Sequence, residues 1–216
     1  MASSQTLPKV LVIALDGLTQ DVSREFAFLK NKADVTFVSI EAEASHYLQS
    51  QHFTAVLAVD PTIVQESPNL RRQITTFART GGKVILCHFF SSLIGPTEFD
   101  EYMQTEWNLP WRFGNYARTN FHLNRQGVNL CREPDLPACY SMKAVSLKYI
   151  EPASKIYHPR KTSTIQSHVF PPTPIGDLSQ AAVAFTRVGD GWLGYIGDVN
   201  DEEATLTVIM AMIGKA

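Results

Sequence analysis

Four segments in the first ninety residues are continuously apolar. Lys9 to Leu15 (KVLVIAL), Val35 to Ile40 (VTFVSI), Phe53 to Val59 (FTAVLAV) and Val84 to Cys87 are all rich in β-branched or aliphatic residues. Runs apolar on both faces are what strands of a helix-covered parallel sheet require. Helical spacing lies between them. Val22, Phe26 and Leu29 recur at that spacing, with Thr19 or Asp21 as caps. The polar stretch Ser45 to Gln51 has room for a short helix. Leu70, Ile74 and Phe77 form one face of a helix that starts at Pro68 and stops at Gly81-Gly82. The alternation predicts βαβ units with right-handed crossovers. They build a doubly wound, mostly parallel α/β sheet with helices on both faces and a ligand crevice at the carboxyl ends of its strands. Near the end, Ala181 to Val188 and Trp192 to Ile196 flank Gly189-Asp190-Gly191 and predict a β-hairpin. Asp201 to Ile213 then predicts an amphipathic closing helix with acidic residues in its first turn.

The middle third is less regular. Phe99, Tyr102, Met103 and Trp107 predict a helix over Pro96 to Trp107, and Asn108 to Tyr116 (NLPWRFGNY) reads as an aromatic loop. Thr119 to Leu123 and Ala144 to Leu147 read as short strands. Gln126 to Tyr140 and Glu151 to Thr164 read as irregular. The expectation is one domain over residues 1–216 with an irregular insertion or cap at about 108–180. Trp107, Trp111, Phe113 and Tyr116 fit an aromatic lid over a ligand, core packing or a partner contact.

Composition narrows the function classes. The chain has 216 residues, 44% of them hydrophobic and 19% charged, which is ordinary globular usage with enough length for a buried core. The net charge of -2 and the lack of a long Lys/Arg run argue against nucleic acid as a partner. Met1 to Leu7 lacks the basic and apolar regions of a signal peptide, and no segment approaches the roughly 20 apolar residues of a membrane helix. Cys87, Cys131 and Cys139 are odd in number and lack metal-ligand spacing, so neither a disulfide framework nor a metal site is expected. Reduced thiols and a cytoplasmic location follow. Nothing in the pattern names a cofactor.

Candidate site residues cluster at strand ends. Asp16-Gly17, Asp60-Pro61 and Cys87-His88 each follow a strand, with Ser91 one step into the next segment. Cys87 is either a nucleophile or a buried inert thiol. His88 is a ligand contact, a general base or a hydrogen-bonded crevice side chain. Asp16-Gly17 fits a turn as well as an acid. His168, before the proline-rich Pro171-Pro172, is either a distant base or a surface histidine. Asp198 and Asn200, after the last strand, either line a pocket or cap the final helix.

The segment Gly81-Gly82-Lys83-Val84-Ile85-Leu86-Cys87-His88 resembles the strand and turn that carry the nucleophile in glutamine-amidotransferase-like proteins. Gly189 to Asp198 (GDGWLGYIGD) resembles the glycine turn and strand before that superfamily's last helix. Anchoring on Gly81-Gly82 puts His88 at the turn, as in the ThuA-like branch. Anchoring on the Cys-His pair puts Cys87 there, as in the intracellular-protease branch. Adjacent side chains point to opposite faces of a strand, so the two registers exclude each other. The resemblance implies a flavodoxin-like sheet and, for a Cys87 nucleophile, attack on a carbonyl with backbone N–H groups receiving the oxyanion. Phe89 and Phe90 stand where the amidotransferases have Gly. The order Gly197-Asp198-Val199-Asn200 holds no His-x-Glu pair, so no complete triad assembles.

Three functions remain open. The first is a non-glutaminase domain that binds a small polar metabolite or a protein partner at the strand ends. The second is a hydrolase or lyase in which Cys87 or His88 acts on a carbonyl substrate with His168 or Asp16 as proton-transfer partner. The third is a homodimeric assembly module anchored on the aromatic loop.

Overall fold

A computed structural model of the chain describes residues 7–16, 22, 26–125, 136–167 and 169–214. The apolar runs become β1 (Lys9–Ile13), β2 (Asp34–Val38), β3 (Ala55–Ala58) and β4 (Lys83–Leu86), and the late hairpin becomes β10 (Val183–Val188) and β11 (Gly191–Ile196). A 3-10 helix, Phe26–Asn31, follows β1, while the expected caps Thr19 and Asp21 lie outside the described residues. The helices are α1 (Glu41–Ser50), α2 (Thr62–Gln65), α3 (Pro68–Arg79), α4 (Phe89–Leu93), α5 (Pro96–Thr105) and α6 (Glu203–Gly214). α3 starts on Pro68, whose missing N–H costs nothing at a first helical position.

The main sheet has nine strands in the order β2-β1-β3-β4-β11-β10-β7-β5-β6, where β5 is Arg112–Leu123, β6 is Cys139–Lys148 and β7 is Lys155–His158. β2, β1, β3, β4 and β11 run parallel, and this is the doubly wound, flavodoxin-like half of the molecule. β10, β7, β5 and β6 extend it antiparallel. A separate ribbon joins β8 (Thr164–Ile165) to β9 (Thr173–Pro174).

Both faces of the parallel half are covered. Val10 and Val12 pack against Phe26 and Leu29 of the 3-10 helix and against Val208 and Met212 of α6. Leu11 and Ile13, one step out of phase, pack against Ala44 of α1, Leu70 and Ile74 of α3, and Phe99 of α5. Lys83 pins the second end of α6 by donating from Nζ to the Ile213 carbonyl at 2.7 Å. Among the described residues no helix is long and apolar enough to cross a membrane.

Three expectations change in the middle third. The loop expected over Asn108 to Tyr116 is strand from Arg112 onward, with a register irregularity between Phe113 and Tyr116. Gly114 is needed there because a Cβ would fall 2.4 Å from Gln180 Oε1 and 2.5 Å from the Ser146 carbonyl oxygen. The segment Glu151 to Thr164 contributes β7 to the main sheet, and β6 begins at Cys139 inside the stretch read as irregular. The aromatic lid dissolves as well. Trp107 and Trp111 are buried with Tyr102 and Phe99 in the core under α5, which withdraws them as an interface anchor, and Tyr116 is exposed beneath the Lys143 ammonium.

Candidate functional site

The strand order β2-β1-β3-β4 reverses between β1 and β3, as expected of a crevice, and after β4 the chain turns on a residue of positive φ. Cys87 still belongs to the ladder, donating its N–H to the Ala58 carbonyl at 3.1 Å. His88 then adopts φ 59° and ψ −127°, and α4 starts at the next residue. A left-handed φ at a non-glycine residue costs about 1–3 kcal/mol and persists only where surrounding contacts over-determine it. Burial of Phe90, the second residue of α4, contributes about 1.5–3 kcal/mol. A strained strand-to-helix turn is how nucleophile-bearing folds aim one side chain into a crevice. The two registers left open by the sequence are thereby separated: His88 occupies the turn.

The His88 ring is held on three sides. Phe26 meets it edge-on at 5.7 Å between centroids, and Phe89 lies tilted against it at 3.9 Å. Nδ1 lies 2.5 Å from Asp201 Oδ2, and the histidine side chain is 1% exposed against 24% for the aspartate. Asp201 itself has φ 52°. A carboxylate only accepts, so Nδ1 carries a proton, and the tautomer this bond selects has its lone pair on Nε2.

Cys87 lies below the turn with no exposure. Burial, and after it the Asp201 carboxylate, push its thiol well above the ordinary range, the opposite of nucleophile activation. Ser91 is buried in α4 and donates to the His88 carbonyl at 3.4 Å, so it braces the turn.

Two buried carboxylates tie the strand ends together. Asp60 accepts from the Leu15 N–H at 2.7 Å and from the Thr62 N–H at 2.9 Å, joining the end of β1 to α2. Asp198 accepts from the N–H groups of Asn200 (3.1 Å) and Glu202 (2.8 Å) and from the Thr205 hydroxyl (2.6 Å). It therefore ties the loop after β11 to α6, and that loop is what presents Asp201 to His88. Burial raises both carboxyls above their ordinary value although hydrogen bonds oppose it.

Arg118 of β5 holds the same loop from outside. Its Nη2 donates to Glu202 Oε1 at 2.7 Å and its Nη1 to Ser141 Oγ at 3.4 Å. The Asn200 side-chain amide meets Arg118 Nη2 at 2.5 Å, and turned with its oxygen toward that donor it accepts a hydrogen bond. Asp16 is exposed beyond the end of β1, and Gly17 and His168 lie outside the described residues.

Asp201, Arg118 and Phe26 are the site residues that sequence reasoning did not single out. The acidic run Asp201-Glu202-Glu203 carried a signal, because it follows the last parallel strand. It is legible equally as the first turn of a helix.

A wide recess lies elsewhere. A groove of about 1450 Å³ runs between α1 and α3, past Leu48, Arg72 and Phe77, to Thr54 and Lys83 at the amino ends of β3 and β4. Ligands of open α/β sheets bind at the carboxyl ends, so the His88 turn is preferred to this helical groove.

No family model and no curated protein sequence matches the chain. Solved structures do. A protein described as ThuA-like from Bacteroides uniformis superposes with a TM-score of 0.58 at 9% identity, covering 98% of this chain and 92% of that one. The chain has a glutamine-amidotransferase-like fold. A cytoplasmic protein of Salmonella typhimurium LT2 superposes with a TM-score of 0.55 at 11% identity over 96% of this chain and 100% of the other. A protein described as a GMP synthase component from Thermoplasma acidophilum gives 0.53 at 10% identity over 96% and 93%. At these identities the likeness concerns the fold alone, and the chemistry of this chain rests on its own residues.

Proposed function

We propose that this glutamine-amidotransferase-like domain is not a glutaminase but binds a small polar metabolite at the carboxyl ends of its strands, with the His88–Asp201 pair at the centre of the site. One observation carries the reading: the residue at the strained turn is a histidine tied to a carboxylate, while the neighbouring cysteine is buried with a raised thiol. Thioester chemistry needs a thiolate at the turn, and this arrangement supplies an imidazole instead. The Arg118, Asn200 and Glu202 groups beside the pair offer charge and hydrogen bonds suited to a polar ligand.

The test is a thermal-shift survey of the full chain against sugars, hydroxy acids, amino acids and nucleotides. A ligand at 100 times its Kd adds about 2.7 kcal/mol, or roughly 5–10 °C in a chain of this size. A shift of that kind from one chemical class, lost in His88→Gln and in Asp201→Asn, supports the reading. A shift untouched by both substitutions would place the ligand elsewhere and sink it.

A second reading has its own support. A carboxylate that fixes the tautomer of a histidine is also the arrangement of a general base, with Nε2 receiving the proton. Turnover of a carbonyl substrate that falls in His88→Gln and survives Cys87→Ala favours this hydrolase or lyase reading over binding alone.

A further inference from the structure

The register of β5, β6 and β7 sets three metal-ligating side chains in one row. His122 on β5 lies directly opposite Cys139 on β6 and directly opposite His158 on β7. Directly opposed residues of antiparallel strands project from the same face, with Cβ atoms about 4.5–5.5 Å apart. A thiol and two imidazoles therefore stand side by side across three adjacent strands, with Cys139 exposed and both histidines half-buried.

His122 Nε2 and Cys139 Sγ are 3.8 Å apart, a long contact in which sulfur is only a weak hydrogen-bonding partner. It matches another geometry. Zn–S of about 2.3 Å and Zn–N of about 2.0–2.1 Å, at a tetrahedral angle, put two such donors about 3.6 Å from each other. On the far side of the row, His158 Nδ1 donates to the Pro159 carbonyl at 3.0 Å. The carbonyl only accepts, so Nδ1 carries the proton here, and the other ring nitrogen is the one that faces a metal once the side chain turns.

We propose that His122, Cys139 and His158 form a capture site for a borderline divalent metal ion, with Zn²⁺ the best chemical match and water completing the coordination. The pair His122–Cys139 is already at the spacing of two ligands. No three such groups among the described residues converge as placed, so His158 closes on the ion by rotating about its side-chain bonds. Arg160 stands near both imidazoles. A metal is bound by thiolate, so capture releases the Cys139 proton and strengthens with rising pH. Arg160 opposes an incoming dication, and the thiolate offsets it. The row stands on β5, β6 and β7, not on the β4 turn, so this inference does not rest on the reading of His88.

The test uses the full reduced chain, stripped with a chelator and titrated with Co²⁺ and then Zn²⁺. One equivalent of Co²⁺ is expected to give thiolate-to-cobalt charge-transfer absorption in the near ultraviolet, which Zn²⁺ displaces. Cys139→Ser abolishes the band, and His122→Gln and His158→Gln each weaken Zn²⁺ binding about tenfold or more while the metal-free melting temperature stays put. Cys131→Ser, as control, keeps the band. Absence of the band, its survival in Cys139→Ser, its loss in Cys131→Ser, or an affinity that ignores both histidine variants overturns the proposal.

Discussion

His88 and Asp201 meet at 2.5 Å across 113 positions of sequence, and both sit on left-handed backbone, φ 59° and 52°. Aspartate and histidine both visit the left-handed helical well, but the ψ of −127° takes His88 out of it, so the histidine is held against its preference. The pair thus joins a strained turn after β4 to a clamped loop after β11, and each half keeps the other in place.

The strain itself is measurable. Ala at position 88 removes the ring and keeps the Cβ, whereas Gly removes both the ring and the penalty on positive φ. His88→Gly is therefore expected to be about 1 kcal/mol more stable than His88→Ala by urea denaturation, the reverse of the usual Gly–Ala order. Equal stabilities would mean that the turn relaxes once the ring is gone.

Removing the Asp201 carboxylate leaves the Nδ1–H of a buried imidazole facing a gap. Asp201→Ala should cost about 1–3 kcal/mol in the same measurement. A loss within a few tenths of a kcal/mol would show that the contact contributes no net stability.

Alkylation of the native protein separates the two described thiols. Cys139 is exposed and Cys87 is buried with a raised thiol. Labelling of Cys87 needs opening of the core, so it should lag Cys139 by about a thousandfold or more, as followed by mass spectrometry. Comparable rates would contradict the burial of Cys87 and reopen its claim to chemistry.

Asp60 and Asp198 give the stability a defined pH signature. Both carboxyls are raised above their ordinary 3.8, chiefly by burial. A raised acid binds its proton more tightly in the folded chain, so each contributes stability that is complete below pH 3.8 and is lost as pH rises through its folded value. Asp198→Asn turns an amide NH₂ toward groups that themselves donate, at a cost of about 1–3 kcal/mol. That cost should be largest at the acid end of the folded range and shrink as pH rises, read from denaturation curves at several pH values. A cost that grows with pH would mean that the three hydrogen bonds to Asp198 outweigh its burial.

Gly197 marks where β6 crosses the end of β11. A Cβ there would fall 2.0 Å from the Val145 carbonyl oxygen, which is backbone and cannot swing aside. Gly197→Ala is expected to cost about 1–3 kcal/mol or more and to perturb the nearby Asp201 loop. A melting temperature equal to wild type would show that β6 is free to move away.

Much of the scaffold was legible in the sequence. A strand covered on both faces has no polar side to show, so KVLVIAL and FTAVLAV announce β1 and β3 without ambiguity. The hairpin register follows from Gly189-Asp190, because the positive φ of Gly189 closes a two-residue turn that pairs Val188 with Gly191. β5, β6 and β7 were legible only in fragments. Their outward positions carry Arg118, Asn120, His122, Ser141 and Lys143, and that mixture reads as loop until its cross-strand partners are known.

The candidate site divides in the same way. The sequence by itself determined that Cys87 and His88 stand at the carboxyl end of a buried strand, because apolar content alone dictates where that strand lies. Only the tertiary structure decided which of them occupies the turn, since that depends on the sign of one backbone angle, and that Asp201 reaches His88 across 113 positions. Such a contact has no periodicity to betray it. It exists because Asp198, Thr205 and Arg118 hold the loop after β11 where the turn after β4 arrives.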